Sequence, residues 1–118
     1  MQKRGYRPGT RAARFTVLRD AILSQGPRMH SPKAGQRELR CGPFRILYVF
    51  PRHTPSGRFN IQIWPAGGVA GRHIVYANKV ANVDWDQHGN VDIISYKSGA
   101  WEAQLIELLR HQGTVTFI

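Results

Sequence analysis

The sequence predicts an α+β fold, in which an antiparallel meander sheet of four to five strands carries an N-terminal and a C-terminal helix packed on one face. Two observations support this class. Apolar residues recur at helical spacing near both ends of the chain, and β-favouring segments separated by turns follow one another between them. The 118 residues, of which 42% are hydrophobic, suit a single domain with one moderate core.

The chain is expected to divide into a basic tail and one folded unit. Residues 1–13 combine glycines and a proline with four cations, which is typical of a flexible tail. Residues 14–118 should form the α+β domain. Within it, residues 26–43 are predicted to be a basic linker rich in proline and glycine, because they show neither a helical nor a strand period.

The first helix is predicted from about residue 11 to residue 25, because Thr10 can cap its start and Gly26-Pro27 can end it. Arg14 and Arg19 flank its apolar stripe, so we expect them to line the border of the docked helix. The stripe itself consists of Phe15, Leu18 and Ile22.

Two strands are predicted next. Residues 44–50 (FRILYVF) are almost continuously apolar, which indicates a central strand. Residues 58–64 (RFNIQIW) alternate, with Phe59, Ile61 and Ile63 on one face and polar residues on the other. The turn-forming segment PRHTPSG between them predicts an antiparallel hairpin.

Residues 65–73 (PAGGVAGRH) hold three glycines in five positions. The segment matches neither a P-loop nor a dinucleotide-binding turn, because it joins two strands and no Lys-Ser or Lys-Thr pair follows the glycines. We therefore expect a flexible hairpin loop of about eight residues. Such a loop can still bring Arg72 and His73 beside a phosphate group.

Residues 73–85 are predicted to form one long strand with a bulge or bend near Asn78-Lys79, where a lysine interrupts the apolar face. The turn DQHGN follows, with Gly89 available for a positive φ, and residues 90–97 form the next strand.

A second helix should begin near Ala100, with Ser98 as its cap, and end before Gly113. Its buried stripe is expected to comprise Trp101, Leu105, Leu108 and Leu109. Residues 114–118 (TVTFI) predict a short final strand.

The charge of the chain is strongly one-sided. Seventeen Lys and Arg residues against seven Asp and Glu residues give a net charge of +10, and 13 of the cations are arginine. Residues 1–40 hold ten cations against two acids, which leaves +8 in the first third of the chain. Solubility requires a net charge of only about 2 to 8 for a whole small domain, so this excess indicates a negatively charged partner.

The sequence argues against several classes of protein. Cys41 is the only cysteine, so no intrachain disulfide and no CxxC zinc pair can form. The histidines show no metal-binding spacing, and we expect neither a metal nor a cofactor. The acids near the DQHGN turn fit solvated carboxylates better than Mg²⁺ ligands; they are Asp84, Asp86 and Asp92.

No segment reaches the roughly 18 consecutive apolar residues of a membrane span. Arg19 and Asp20 also interrupt any apolar core of a secretory signal. We therefore expect a cytoplasmic protein with no membrane partner, while the Arg-rich start leaves a transit peptide as an alternative.

We expect a nucleic-acid-binding accessory protein rather than an enzyme. Such a protein binds RNA or DNA through the phosphate backbone, largely independently of base sequence. The guanidinium fork suits this role because it matches phosphate oxygens and stacks on bases. The predicted contacts are an arm of Lys3, Arg4, Arg7, Arg11, Arg14 and Arg19, with Arg58, Arg72 and Lys79 on the body of the domain. Asn60, Gln62 and Trp64 can extend this footprint, unless the first helix covers Trp64.

Two alternatives stay open. In the first, the chain is a protein-interaction module that recognises an acidic partner surface by charge complementarity. In the second, it is a metal-independent ribonuclease whose catalytic groups are His53, Arg72 and His73, provided that the fold brings them together.

Overall fold

The computed structural model describes residues 9–25 and 34–111. Within them lie two α-helices, α1 (Arg11–Leu23) and α2 (Trp101–Arg110), and six strands, namely β1 (Gln36–Cys41), β2 (Phe44–Val49), β3 (Phe59–Ala70), β4 (His73–Tyr76), β5 (Ala81–Trp85) and β6 (Val91–Tyr96). A short 3₁₀ helix (Pro51–His53) precedes β3. Every strand pair is antiparallel, and the sheet runs β1-β2-β3-β5-β6 with β4 paired to the C-terminal part of β3.

The predicted α+β class is confirmed, with both helices on one face of the antiparallel sheet. The core between helices and sheet is built mainly from Phe15, Leu18, Ile22, Leu105 and Leu109 of the helices and Leu39, Ile46, Ile61, Ile63 and Val83 of the strands. In the described residues the sheet has six strands, because residues 36–41 form β1 and the predicted strand 73–85 is divided into β4 and β5. No helix in these residues is long and apolar enough to cross a membrane.

The alternation along β3 decides which side chains enter the core. Ile61 and Ile63 are fully buried beneath the helices, and Asn60 lies on the opposite face, as predicted. The neighbouring strands are in register with this pattern, since Ile46 of β2 lies opposite Ile63 and Val83 of β5 lies opposite Ile61. The apolar rows of three strands therefore form one surface for the helices.

The start of α1 is confirmed at Thr10, whose Oγ1 accepts a hydrogen bond from the backbone N–H of Ala13 at 3.2 Å. The helix ends at Leu23, two residues earlier than predicted, and Gly26-Pro27 lies outside the described residues. Its fully buried side chains are the predicted stripe of Phe15, Leu18 and Ile22.

The prediction that residues 26–43 form a linker is wrong for residues 36–41, which form β1. Leu39 and Cys41 are fully buried and alternate with charged residues, so QRELRC is an amphipathic strand. Its three charged residues make this alternation hard to recognise in the sequence. Gly42 has a φ of +55° and forms with Pro43 the two-residue turn that pairs β1 with β2.

The predicted loop of about eight residues at 65–73 is also wrong. Strand β3 continues to Ala70 and β4 begins at His73, so only Gly71 and Arg72 form the turn. A register shift between Ala66 and Gly68 marks a β-bulge in the glycine-rich part. We call this two-stranded extension, residues 66–76, the β3–β4 ribbon.

The bend predicted near Asn78-Lys79 is a complete break between β4 and β5. The backbone N–H of Ala77 donates to the carbonyl of Pro65 at 2.8 Å, and that of Val80 donates to Ile63 at 2.8 Å. β4 pairs with the C-terminal part of β3 and β5 pairs with its N-terminal part, so β3 has two partner strands on the same edge.

The turn after β5 is confirmed, with a φ of +85° at Gly89. Asp86 organises it, because Oδ1 accepts hydrogen bonds from the backbone N–H groups of His88 and Asn90 at 2.9 Å each. Side-chain and backbone hydrogen bonds from Asn90 hold the pKa of Asp86 below its usual value.

Ser98 does not cap α2, contrary to the prediction. Ala100 is the N-cap residue and provides no side-chain hydrogen bond, while the hydroxyl of Ser98 accepts one from Nη2 of Arg14 at 3.0 Å. The buried stripe is confirmed at Leu105 and Leu109, with Trp101 and Leu108 packed against it. The predicted stop at Gly113 and the strand at 114–118 lie outside the described residues.

The turn of the β3–β4 ribbon tolerates little change at its first position. Gly71 has a φ of +59°, which matches a type II′ turn and is unfavourable for residues with a Cβ. We expect Gly71→Ala to destabilise the ribbon by about 1–2 kcal/mol. Amide exchange at Ala70 and His73, the hydrogen-bonded pair that closes the two-residue turn, should then become about 5- to 30-fold faster.

Gly71→Asn is the matched control for this substitution, since asparagine tolerates a positive φ better than alanine, and its effect should be smaller. Equal exchange rates in Gly71→Ala and the wild-type protein would show that the turn does not hold the ribbon together.

Candidate functional site

The sheet face opposite the helices, called the polar face below, carries mostly polar side chains. Its centre consists of Asn60, Gln62 and Trp64 of β3 and Asn82 and Asp84 of β5. In the described residues neither helix packs there, and the β2–β3 connection folds over one end instead. Asn60 and Asp84 are therefore buried, with only 5% and 6% of their surface exposed.

A chain of side-chain hydrogen bonds connects these residues. Nδ2 of Asn60 donates to Oδ1 of Asp84 at 2.7 Å and to Oδ1 of Asn82 at 2.8 Å. Nε2 of Gln62 donates to Oδ1 of Asn60 at 2.8 Å. The hydroxyl of Ser56, in the β2–β3 connection, donates to Oδ2 of Asp84 at 3.0 Å. Because each group is oriented by its neighbour, the network presents fixed donors and acceptors.

This network borders a cavity of about 440 Å³, called the carboxylate cavity below. Leu47, Val49 and Ile94 give it apolar walls, and His53 also lines it. Within the described residues no cationic side chain forms an ion pair with Asp84. Its carboxylate is held by the neutral donors Asn60 and Ser56, and it has lone pairs left for further hydrogen bonds from a ligand in the cavity.

A second cavity, of about 460 Å³, lies where β1 and β2 approach the β3–β4 ribbon, and it is called the cationic cavity below. Its lining residues are Arg40, Arg45, Arg72, His73, Ile74 and Tyr76. The hydroxyl of Tyr76 is buried without a hydrogen-bond partner in the part of the chain that the structure describes. Guanidinium groups together with an unpaired hydroxyl are suited to a ligand with several acceptor oxygens.

Two of these arginines face each other across the sheet. Arg40 of β1 is the direct partner of Arg45 of β2, a position at which like charges repel. Glu38 offsets this repulsion by forming an ion pair with both arginines. Its buried carboxylate accepts a hydrogen bond from Nε of Arg45 at 2.7 Å and lies 3.4 Å from Nε of Arg40. One carboxylate against two guanidinium groups leaves a positive excess, to which Arg72 adds.

Trp64 connects the two cavities along β3, since Gln62 before it lines the carboxylate cavity and the β3–β4 ribbon follows it. The guanidinium carbon of Arg45 and Nζ of Lys79 lie 4.9 and 5.6 Å from the centroid of its ring. Trp64 lies on the polar face and not beneath α1, so the alternative that the first helix covers it is wrong.

The predicted arm is only partly described. Arg11 is exposed at the start of α1. Nε of Arg14 lies 3.2 Å from Oε2 of Glu102, and the guanidinium of Arg19 is buried 5.4 Å from the ring centroid of Trp85. Both therefore line the border of the docked helix, as predicted. The arm residues outside the described part are Lys3, Arg4 and Arg7.

The three cations of the domain body that were predicted to contact nucleic acid lie at different places on the sheet. Arg72 lines the cationic cavity and Lys79 lies over Trp64, so these two are close to the polar face. Arg58, at the other end of β3, donates to the carbonyl of Asn90 at 2.7 Å. The three cations do not form one cluster.

The residues of the ribonuclease alternative are also separated. Arg72 and His73 are neighbours at the tip of the β3–β4 ribbon, where His73 pairs with Ala70. His53 belongs to the 3₁₀ helix before the other end of β3 and lines the carboxylate cavity. Residues 9–25 and 34–111 contain no group of three His, Cys, Asp or Glu side chains placed to hold a metal ion.

Sequence reasoning identified some residues of each cavity, such as Arg72 and Asn60, and missed others. Arg40 and Arg45 were not singled out, although the alternation in QRELRC and the short turn after it place them on one face. Asp84 was expected to be solvated and is instead buried, because the β2–β3 connection folds over it through Ser56.

Comparison of the chain with models of protein families, with curated proteins and with solved structures found no match.

The ion pairs of Glu38 should stabilise the fold at the border of the cationic cavity. We expect Glu38→Gln to lower the free energy of unfolding by about 1–2 kcal/mol, because Arg40 and Arg45 would then repel each other without a carboxylate. Glu107→Gln, which removes an exposed glutamate from α2, should change it by less than about 0.5 kcal/mol. Urea unfolding measures both, and equal stabilities would refute the compensation by Glu38.

Proposed function

We propose that this chain is a nucleic-acid-binding accessory protein whose phosphate-contacting surface is the cationic cavity with the adjoining β3–β4 ribbon. The observation that supports this most directly is the convergence of Arg40, Arg45 and Arg72 from three separate segments on one cavity. A phosphate group offers several oxygens to such guanidinium forks, and the unpaired hydroxyl of Tyr76 supplies one more donor.

The aromatic ring of Trp64 adds a second kind of contact. Cationic grooves that also carry an aromatic side chain bind single strands, because phosphates meet the cations while bases stack on the ring. Trp64 lies next to the ribbon with Arg45 and Lys79 over its ring, so a base that stacks there takes the place of one of these cations, which turns to a phosphate. We therefore favour a single-stranded segment of RNA or DNA over a duplex.

In the proposal the N-terminal arm supplies additional, sequence-independent attraction to the phosphates. Lys3, Arg4, Arg7 and Arg11 provide these contacts, whereas Arg14 and Arg19 act mainly within the fold. The proposal includes a cytoplasmic location, since the single cysteine suits a reducing compartment. An acidic protein surface is the alternative partner, and the experiment below distinguishes it.

The test is a titration of the full chain with fluorescent single-stranded and duplex oligonucleotides of about 10 nucleotides, at two salt concentrations. We expect affinity to fall steeply with salt, because binding releases counterions from the phosphates. Arg72→Ala should weaken binding by about 2- to 5-fold and reduce the salt slope by about 0.7 to 0.9.

Arg110→Ala is the matched control, since it removes an exposed arginine from α2 on the helix side of the sheet, and it should change affinity less than Arg72→Ala. The proposal fails if the chain binds no oligonucleotide at low salt. The alternative would then be supported if one acidic protein stays bound to the chain after nuclease treatment and if Arg72→Ala abolishes this binding.

A further inference from the structure

We infer that the carboxylate cavity is a binding site for an unstacked guanine base, so that the bound strand is anchored by one base as well as by its phosphates. The inference rests on the proposed function, because the base belongs to the same nucleic-acid chain. It adds a preference at a single nucleotide to a mode of binding that otherwise depends little on sequence.

The acceptor pattern of Asp84 points to guanine. Each carboxylate oxygen already accepts one hydrogen bond, Oδ1 from Asn60 and Oδ2 from Ser56, and each has a lone pair left. A ligand with two adjacent donors satisfies both at once. Among the four common bases only guanine presents two adjacent donors, N1–H and the 2-amino group, on its Watson–Crick edge.

The rest of the cavity agrees with this choice. Asn82 accepts through Oδ1, and its Nδ2 has no partner in the described residues, which leaves a donor for the O6 atom of guanine. Leu47, Val49 and Ile94 provide apolar surface for the faces of the base. The volume of about 440 Å³ lies in the range of sites that enclose a small planar ligand.

An arginine side chain of a protein partner also presents two adjacent donors, but the neighbouring charges disfavour it. Leu47 lines the carboxylate cavity and Arg45, two residues earlier on the same face of β2, lines the cationic cavity. The two positions are only about 7 Å apart. A cationic peptide would approach like charges there, whereas a nucleotide would bring its own phosphate to them.

The first experiment compares two single-stranded RNAs of about 10 nucleotides that differ only by guanosine or inosine at one position. Inosine lacks the 2-amino group and so loses one of the two donors. We expect the guanosine strand to bind the full chain about 10-fold more tightly. Equal affinities overturn the guanine site while leaving the phosphate surface intact.

Two variants connect the preference to the cavity. Asp84→Asn should bring the two affinities within about 2-fold of each other while salt-dependent binding persists. If Asp84→Asn does not fold, as judged by circular dichroism, Ile94→Arg serves instead, because it introduces a guanidinium at an exposed residue that lines the cavity. Val17→Arg, the same kind of change at an exposed residue of α1, should keep the preference. Retention of the preference in the cavity variants overturns the assignment.

Free nucleotides separate the two proposals. Guanosine monophosphate should shift the amide signals of residues around Asp84 in NMR spectra more strongly than inosine monophosphate, whether or not oligonucleotides bind. If these shifts appear without any oligonucleotide binding, the proposed function fails and the guanine pocket stands. Tighter binding of an arginine amide than of guanosine monophosphate overturns the pocket in favour of a protein ligand.

Discussion

The side-chain alternation of β3 is the constraint on which the rest of the structure depends. Because successive residues point to opposite faces, the same strand that supplies Ile61 and Ile63 to the core must place Asn60 and Gln62 on the other face. A shift of one residue would exchange these sets and expose the core. The composition of the polar face is thus fixed by the hydrophobic effect on the opposite side of the sheet.

The length of β3 adds the second determinant of the site. It exceeds what the core requires, and its C-terminal part leaves the helices and pairs with β4 alone. The break between β4 and β5 permits this, since each partner uses a different part of the same strand. The β3–β4 ribbon consequently carries Arg72 to the cavity that Arg40 and Arg45 line.

Much of the fold follows from sequence periodicity, and the predictions fail where the local signal is weak or absent. The helices, β2 and the start of β3 have apolar residues at regular spacing, and these elements are confirmed. Charged residues weaken the local strand signal of β1, and glycines weaken that of the C-terminal part of β3, so the sequence predicts loops there. Pairing with a neighbouring strand stabilises both segments. The burial of Asp84 has no local signal at all, since it results from contact with a connection 28 residues earlier.

The two cavities would impose opposite requirements on the proposed ligand. A phosphate is repelled by the carboxylate of Asp84 and attracted by the cationic cavity, whereas the donor edge of a base is suited to the carboxylate and gains nothing from guanidinium groups. Both cavities lie on the same face, and Trp64 lies between them on β3. A nucleotide strand meets both requirements only when its base occupies one cavity and its phosphate the other. For the proposed nucleic-acid ligand, this arrangement of charge therefore favours one orientation, which a uniformly basic surface would not do.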